Sequence, residues 1–174
     1  MLRSLLTWFL LLGSALAISA CCVNNTCLCQ DAYDDDVFLR FNLDVANGGF
    51  KPTEVDTLVL VRRIKDPKSS TRPDTVVIGR ALANVAQPFS IGPSRPFTRS
   101  GVRFTQFIYT VALLHSERRF VVDPIEVESR FVDESACCTC SRNRKKTVVV
   151  NNVQYDAHDP TDQDQPVYIT LSKQ

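Results

Sequence analysis

Six of the seven cysteines form two clusters at opposite ends of the chain, which constrains the fold more than any other feature. The clusters are Cys22, Cys27 and Cys29 near the start, and Cys137, Cys138 and Cys140 near the end. Adjacent side chains of an extended strand point to opposite faces, and a very short loop strains a disulfide, so bonds within a cluster are disfavoured. The pattern predicts disulfides between the clusters, with Cys22–Cys27 as a local alternative.

The body of the chain has the period-2 hydrophobicity of β-strands. In residues 37–45 (VFLRFNLDV) every second residue is apolar and most of the others are polar, which is typical of a half-buried strand. Asn47-Gly48-Gly49 then predicts a turn, because Gly and Asn accept a positive φ at low cost. Thr57–Ile64 (TLVLVRRI) is β-branched and apolar on both faces, which indicates an interior strand.

Further candidate strands follow at short spacing, with prolines in the gaps or at strand edges. They cover residues 75–78, 81–89, 102–115, 120–133, 146–155 and 167–172. No segment after the first 20 residues has the apolar stripe of a helix. About seven to eight short strands predict an all-β fold, an antiparallel immunoglobulin-like β-sandwich, with a barrel as the alternative.

The first 20 residues have the composition of a secretory signal peptide. Arg3 is their only charged residue, residues 5–12 (LLTWFLLL) are almost entirely apolar, and small residues follow. The apolar run is shorter than the roughly 20 residues that a transmembrane helix needs. Ala15-Leu16-Ala17 fits cleavage by ordinary signal peptidase, and an uncleaved N-terminal anchor is the alternative to export.

The residues Ile18-Ser19-Ala20-Cys21 resemble the lipobox of bacterial lipoproteins, in which an aliphatic residue and two small ones precede a cysteine. The resemblance implies a lipid on the Cys21 sulfur, cleavage before Cys21 and acylation of the new N-terminus, so that acyl groups hold the protein on a lipid bilayer. Residues 1–20 are then the lipoprotein signal peptide, residues 21–36 a Cys-rich anchor segment and residues 37–174 the β-sandwich domain. Cys22, in place of an aspartate, agrees with sorting to the outer membrane of the cell envelope.

The later part of the chain is similar to small uncharacterised lipoproteins of Bacteroidota type. The similarity lies in Ile125-Glu126-Val127-Glu128, in Cys137-Cys138-Thr139-Cys140 and in the predicted turn at residues 143–146. It implies a β domain on a lipid anchor and no known activity.

Lipidation of Cys21 leaves six cysteines, the even number that a disulfide framework requires. An exported chain meets an oxidising compartment, in which disulfides persist. The rival hypothesis is a thiolate site for zinc or Cu(I), but neither cluster has the C-x-x-C spacing typical of structural zinc, and no histidine ligand is evident nearby. We therefore expect disulfides, and neither a metal nor another cofactor.

Bonds between the clusters would bring a basic run close to the anchor. Arg142, Arg144, Lys145 and Lys146 follow Cys140 shortly, and each cation near an anionic bilayer contributes about 1 kcal/mol. One hypothesis is that these four residues form a second, weak membrane contact. The alternative is that they lie in a solvated hairpin turn.

Charge and motifs argue against several functions. The chain has 20 basic residues, of which Arg3 leaves with the signal, and the remaining 19 equal the 19 acidic residues, so the basic excess of a nucleic-acid-binding protein is absent. The acidic segment 156–164 could hold calcium, but its spacing is not that of an EF-hand, which favours a solvated loop. No GxSxG, HExxH, P-loop or GxGxxG motif occurs, and we expect no enzymatic activity.

Three classes of function remain open. The first is a structural or interaction lipoprotein with a protein or glycan partner. The second is a carbohydrate-binding accessory lipoprotein, which needs exposed aromatic rings on one face. Since Trp8 leaves with the signal, its candidates are Tyr33, Tyr109, Tyr155 and Tyr168. The third is a thiolate metal-binding protein.

Overall fold

The computed structural model describes Cys27, Cys29, Tyr33 and residues 35–135 and 138–173. These residues form nine β-strands and four short 3-10 helices. The strands are β1 (Val37–Phe41), β2 (Thr57–Ile64), β3 (Asp74–Gly79), β4 (Phe89–Ile91), β5 (Phe107–Leu113), β6 (Arg119–Ser135), β7 (Cys138–Val150), β8 (Val153–Asp156) and β9 (Tyr168–Leu171). The 3-10 helices are Val45–Asn47, Pro52–Glu54, Leu82–Asn84 and Phe104–Gln106. None of the described residues belongs to a helix that could cross a membrane.

The strands form two sheets, which confirms the predicted all-β sandwich. The smaller sheet has the order β4-β1-β9, and the larger has the order β3-β2-β5-β6-β7-β8. β1 pairs antiparallel with β4 and parallel with β9, whereas every pairing in the larger sheet is antiparallel. The parallel pair places the first and the last strand of the described chain side by side in one sheet.

The core is built from alternate residues of strands in both sheets. Val37, Leu39 and Phe41 of β1 belong to the same core cluster as Leu58 and Leu60 of β2. All five are at most 5% exposed. Full burial of such a side chain contributes about 1.5–3 kcal/mol, so the period-2 pattern of the sequence is what stabilises the two sheets against each other.

The predicted strand at Thr57–Ile64 is confirmed at both ends, and β2 lies between β3 and β5. The predicted strand at 37–45 is shorter than expected. It ends at Phe41, and Asp44 accepts a hydrogen bond from the backbone N–H of Ala46 at the start of a 3-10 helix. The predicted turn follows, with a φ of 74° at Gly48.

The predicted strand at 81–89 is wrong for most of its length. Leu82–Asn84 is a 3-10 helix, and the N–H of Gln87 donates to the carbonyl of Asn84 to continue a local turn. Pro88 has no N–H to give to a sheet, and β4 begins only at Phe89.

The predicted strand at 146–155 is a hairpin, which explains why nine strands are found where about seven to eight were expected. Asn151 and Asn152 have φ values of 48° and 67° and separate the paired residues Val150 and Val153. A two-residue hairpin turn of this kind requires positive φ at both positions, and asparagine tolerates that conformation.

Candidate functional site

The outer parts of β6 and β7 form a two-stranded ribbon. β5 pairs with β6 only at residues 119–122, and β8 pairs with β7 only at residues 147–150. Beyond these positions β6 and β7 pair with each other, out to Ser135 opposite Cys138. We call residues 127–135 and 138–146 the ribbon. Its Phe131 is 82% exposed.

Two disulfides join the N-terminal segment to the end of the ribbon. Cys27 bonds to Cys138 and Cys29 bonds to Cys140, with Cα atoms 5.3 and 5.5 Å apart. These separations are ordinary for a disulfide. The prediction that bonds join the two clusters is confirmed for these pairs.

The other cysteines lie outside the described residues. They are Cys21, Cys22 and Cys137. The local alternative Cys22–Cys27 is excluded, because Cys27 is already bonded to Cys138. Lipidation of Cys21 stays a prediction.

The two disulfides lie side by side. The Sγ of Cys27 is 3.7 Å from that of Cys29 and 3.8 Å from that of Cys140, and the sulfurs of Cys138 and Cys140 are 3.8 Å apart. All four sulfurs lie within 4.8 Å of one another. We call them the four-sulfur cluster. It is the one group of possible metal ligands found among the described residues.

The basic run does not lie in a turn, because residues 142–146 are part of strand β7. The prediction of membrane contact is wrong for Lys146, which is 6% exposed. Its ammonium group donates to the carbonyls of Tyr33 and Asp36, so it cannot reach a bilayer. Arg144 is exposed.

The other two basic residues of the run lie beside carboxylates. Arg142 is largely buried and donates to Glu134 over 3.0 Å. Lys145 is exposed, with its ammonium 3.7 Å from Glu126 and 3.8 Å from Glu128. The positive charge available to an anionic surface is therefore smaller than the sequence predicted.

Two buried charged residues hold the backbone of Tyr33. Lys146 donates to the Tyr33 carbonyl over 3.2 Å, and Asp164, which is 9% exposed, accepts from the Tyr33 N–H over 3.0 Å. Burial of a charge is unfavourable unless hydrogen bonds compensate it, so these contacts are a fixed part of the fold. They attach Tyr33 to the sandwich independently of the disulfides. Sequence reasoning missed Lys146, because lysine is rarely buried.

The same segment places Tyr33 in a row of aromatic rings on the outer side of the smaller sheet. The Phe38 ring centroid is 5.5 Å from that of Tyr33 and 6.0 Å from that of Tyr168. Tyr33 and Tyr168 are each 41% exposed. The guanidinium of Arg40 lies 5.5 Å from the Tyr168 ring and donates to the Thr170 hydroxyl. We call Tyr33, Phe38 and Tyr168, with Arg40, the aromatic ledge.

The remaining predicted stacking residues are not on the ledge. Tyr109 is 1% exposed, and its hydroxyl donates to the carbonyl of Phe104, so the prediction is wrong for it. Burial raises the pKa of Tyr109 to about 12, and the charge of Arg62 offsets only part of this effect. Tyr155 is half-buried and packs against the core.

The acidic loop is organised by hydrogen bonds to Asp159. Its carboxylate accepts from the N–H groups of Thr161, Gln163 and Gln165 over 2.8–3.0 Å, and from the Thr161 hydroxyl over 2.7 Å. Desolvation raises the pKa of Asp159, but these hydrogen bonds together outweigh it and lower the pKa to about 2.

The other carboxylates of this loop have separate partners. Asp162 pairs with Arg130 over 2.8 Å, and Asp156 accepts from the N–H of His158. The His158 ring nitrogen lies 2.9 Å from the carbonyl of Asn143. The described residues therefore offer no convergent set of oxygens for calcium.

A cleft of about 450 Å³ lies beside the base of the ribbon. Its walls include Asp35, Arg99, Arg103 and Ser129. Both arginines are exposed, and they outnumber the carboxylates among the described residues that line the cleft.

The chain matches no known protein family, and no curated protein or solved structure is significantly similar to it. Function must therefore be inferred from the site alone.

Proposed function

We propose that the chain is an exported lipoprotein of the cell envelope, held on the outer membrane by acyl groups on Cys21, and that it acts as a non-enzymatic interaction module. The observation that carries this proposal is the pair of disulfides between Cys27 or Cys29 and the ribbon. Such bonds persist in oxidising compartments, which supports export by the signal peptide.

The tether of this proposed anchor is short. Five residues lie between Cys21 and Cys27, and the six residue steps that join the two cysteines span at most about 22 Å when extended. Because Cys27 is bonded to Cys138, the end of the ribbon lies within about the same distance of the acyl chains.

Replacement of Cys21 tests the anchor. Cys21→Ser removes the sulfur that would carry the lipid, so we expect the variant to lose fatty-acid labelling and to move from the membrane fraction to the aqueous fraction. Cys22→Ser is the matched control, since it removes the neighbouring sulfur, and it should stay labelled and membrane-bound. A Cys21→Ser protein that keeps its label and its fractionation would refute the anchor.

The aromatic ledge favours a second candidate, binding of a neutral glycan by the tethered domain. A sugar ring has an apolar C–H face that stacks on aromatic rings and a rim of hydroxyls that tyrosine and arginine can bind. Tyr33 and Tyr168 present such rings at one surface, and Lys146 and Asp164 fix the backbone of Tyr33 in advance. A site that is ordered before binding loses less entropy when the ligand arrives.

Truncation of one ring tests the ledge. Tyr168→Ala should weaken binding of cellohexaose or maltohexaose, measured by titration calorimetry, at least about fivefold, because a stacked aromatic anchor typically contributes more than about 1 kcal/mol. Phe131→Ala, which removes a more exposed ring from the ribbon, is the control and should bind as the wild type does. Failure of the wild type to bind either oligosaccharide, or equal affinity in Tyr168→Ala, would rule against glycan binding at the ledge.

A further inference from the structure

We propose that the four-sulfur cluster is a zinc site in its reduced state. When both disulfides are reduced by a dithiol, Cys27, Cys29, Cys138 and Cys140 would bind one Zn²⁺ ion through four thiolates. The inference goes beyond the proposed function and does not depend on the lipid anchor.

Three of the four distances between sulfurs that are not bonded to each other already suit this site, and the fourth, between Cys29 and Cys138, is within 4.8 Å. Tetrahedral zinc with four thiolates has Zn–S bonds of about 2.3 Å, which places neighbouring sulfurs about 3.8 Å apart. The cluster has three such separations of 3.7, 3.8 and 3.8 Å. The fold therefore holds these edges of the tetrahedron at the required length.

The largest change that zinc binding requires is separation of the two bonded pairs. A disulfide holds its sulfurs about 2.0 Å apart, so each sulfur has to withdraw by about 0.9 Å to reach the tetrahedral spacing. Pairing of β6 with β7 holds Cys138 and Cys140 during this change. Contacts of Lys146 with Tyr33 and Asp36 keep the N-terminal segment beside the ribbon after the bonds open.

A dithiol supplies the electrons and protons that reduction of the two disulfides requires. Each disulfide takes two electrons and two protons from one dithiol, which itself becomes a disulfide. Zn²⁺ then replaces the four thiol protons, which are released to solvent. Without reduction, no thiolate is present in the cluster and no zinc is bound by it.

Neither cysteine cluster predicts a metal site by itself. Each contributes only a Cys-x-Cys pair to the site, which lacks the C-x-x-C spacing of a zinc knuckle. The sheet brings two such pairs together across a sequence separation of 111 residues. The two segments together then supply the four cysteine ligands of the site. The spacing of cysteines within either segment does not reveal this combination.

A metal titration of the full chain tests the proposal. In a Cys21→Ser/Cys22→Ser/Cys137→Ser background only the four cluster sulfurs remain, whether or not the wild type is lipidated. After reduction by dithiothreitol and its anaerobic removal, we expect one Co²⁺ per chain with the visible absorption of a tetrahedral tetrathiolate, displaced by one Zn²⁺. The oxidised protein should bind neither ion at this site. Adding Cys29→Ser should weaken Zn²⁺ binding at least about 100-fold, since it removes a ligand.

Far-UV circular dichroism on the same samples covers the case in which reduction unfolds the chain. Zn²⁺ should then restore the β signal of the reduced background protein and not that of the variant with Cys29→Ser, because metal binding is coupled to folding. The proposal is overturned if the reduced chain, folded or unfolded, binds Zn²⁺ no more tightly than the Cys29→Ser variant. A Co²⁺ spectrum with fewer than four sulfur ligands would overturn it as well.

Discussion

Loss of both observed disulfides is expected to cost about 7 kcal/mol of unfolding free energy, whereas loss of either one costs only about 2 kcal/mol. Both bonds span a sequence separation of 111 residues, for which the chain-entropy relation gives about 5 kcal/mol. While one bond remains, the second closes only a ring of a few residues, which is worth about 2 kcal/mol. Removal of the second disulfide therefore costs more unfolding free energy than removal of the first.

Urea unfolding of a set of serine variants measures the unfolding free energy that is lost with each disulfide. All carry Cys22→Ser and Cys137→Ser, so that no further bond can close the long loop. We compare this background with Cys27→Ser/Cys138→Ser, with Cys29→Ser/Cys140→Ser and with the variant that combines all four changes. Equal, additive losses of free energy for the two bonds would contradict the expectation, because each would then stabilise the fold independently of the other.

Replacement of the buried Lys146 is expected to be the most destabilising single change in the ribbon. Lys146→Met keeps the length and volume of the side chain but leaves the carbonyls of Tyr33 and Asp36 without their ammonium donor. The Tyr33 carbonyl keeps a second donor, the N–H of Asp36, so the cost falls mainly on the Asp36 carbonyl. Loss of a hydrogen bond to a buried polar group costs about 1–3 kcal/mol, so we expect a loss of about 2 kcal/mol, moderated by removal of a buried charge.

Lys145→Met is the matched control for this change. Lys145 is the preceding residue and is exposed, and its separations from Glu126 and Glu128 are 3.7 and 3.8 Å. Surface substitutions of this kind usually change stability by less than about 0.5 kcal/mol. If chemical denaturation finds the two variants equally stable, Lys146 does not hold the N-terminal segment as the structure indicates.

Strands were predictable where local hydrophobicity decides the conformation. β2 is apolar on both faces, β9 alternates between apolar and more polar positions, and both begin and end close to where the sequence predicts. Residues 81–89 are also apolar at several positions, but Pro88 removes a sheet donor and local turns satisfy the backbone instead. The hairpin at Asn151 and Asn152 was missed because the apolar residues on either side form one continuous pattern. The pair of asparagines was the available signal.

The candidate site was predictable only in part. Stereochemistry of short loops was enough to favour bonds between the cysteine clusters, because it disfavours most bonds within them and leaves only Cys22–Cys27 as a local alternative. The aromatic ledge depends on the parallel pairing of β1 with β9, which places Phe38 opposite Tyr168. That pairing joins the two ends of the domain, and no local pattern encodes it. Lys146 looked like a surface residue because its partners are backbone carbonyls more than a hundred positions away.

The N-terminal segment of the domain is attached to the rest of the fold in two ways. Disulfides bind Cys27 and Cys29 to the end of the ribbon, and buried charges bind Tyr33 and Asp36 to the sandwich. A lipid on Cys21 would then hold the ribbon near the bilayer rather than at the end of a free linker. Protein or glycan partners would meet a domain of restricted orientation.

Mass spectrometry of the protein isolated from membranes and digested with trypsin, without reduction, tests this account most directly. Trypsin releases residues 21–40 and residues 131–142 as separate peptides unless disulfides join them. We predict one acylated species containing both peptides, in which Cys27, Cys29, Cys138 and Cys140 are oxidised, and its separation into two peptides on reduction. Recovery of residues 21–40 without acyl groups and without residues 131–142 would contradict both the anchor and the disulfide bonds.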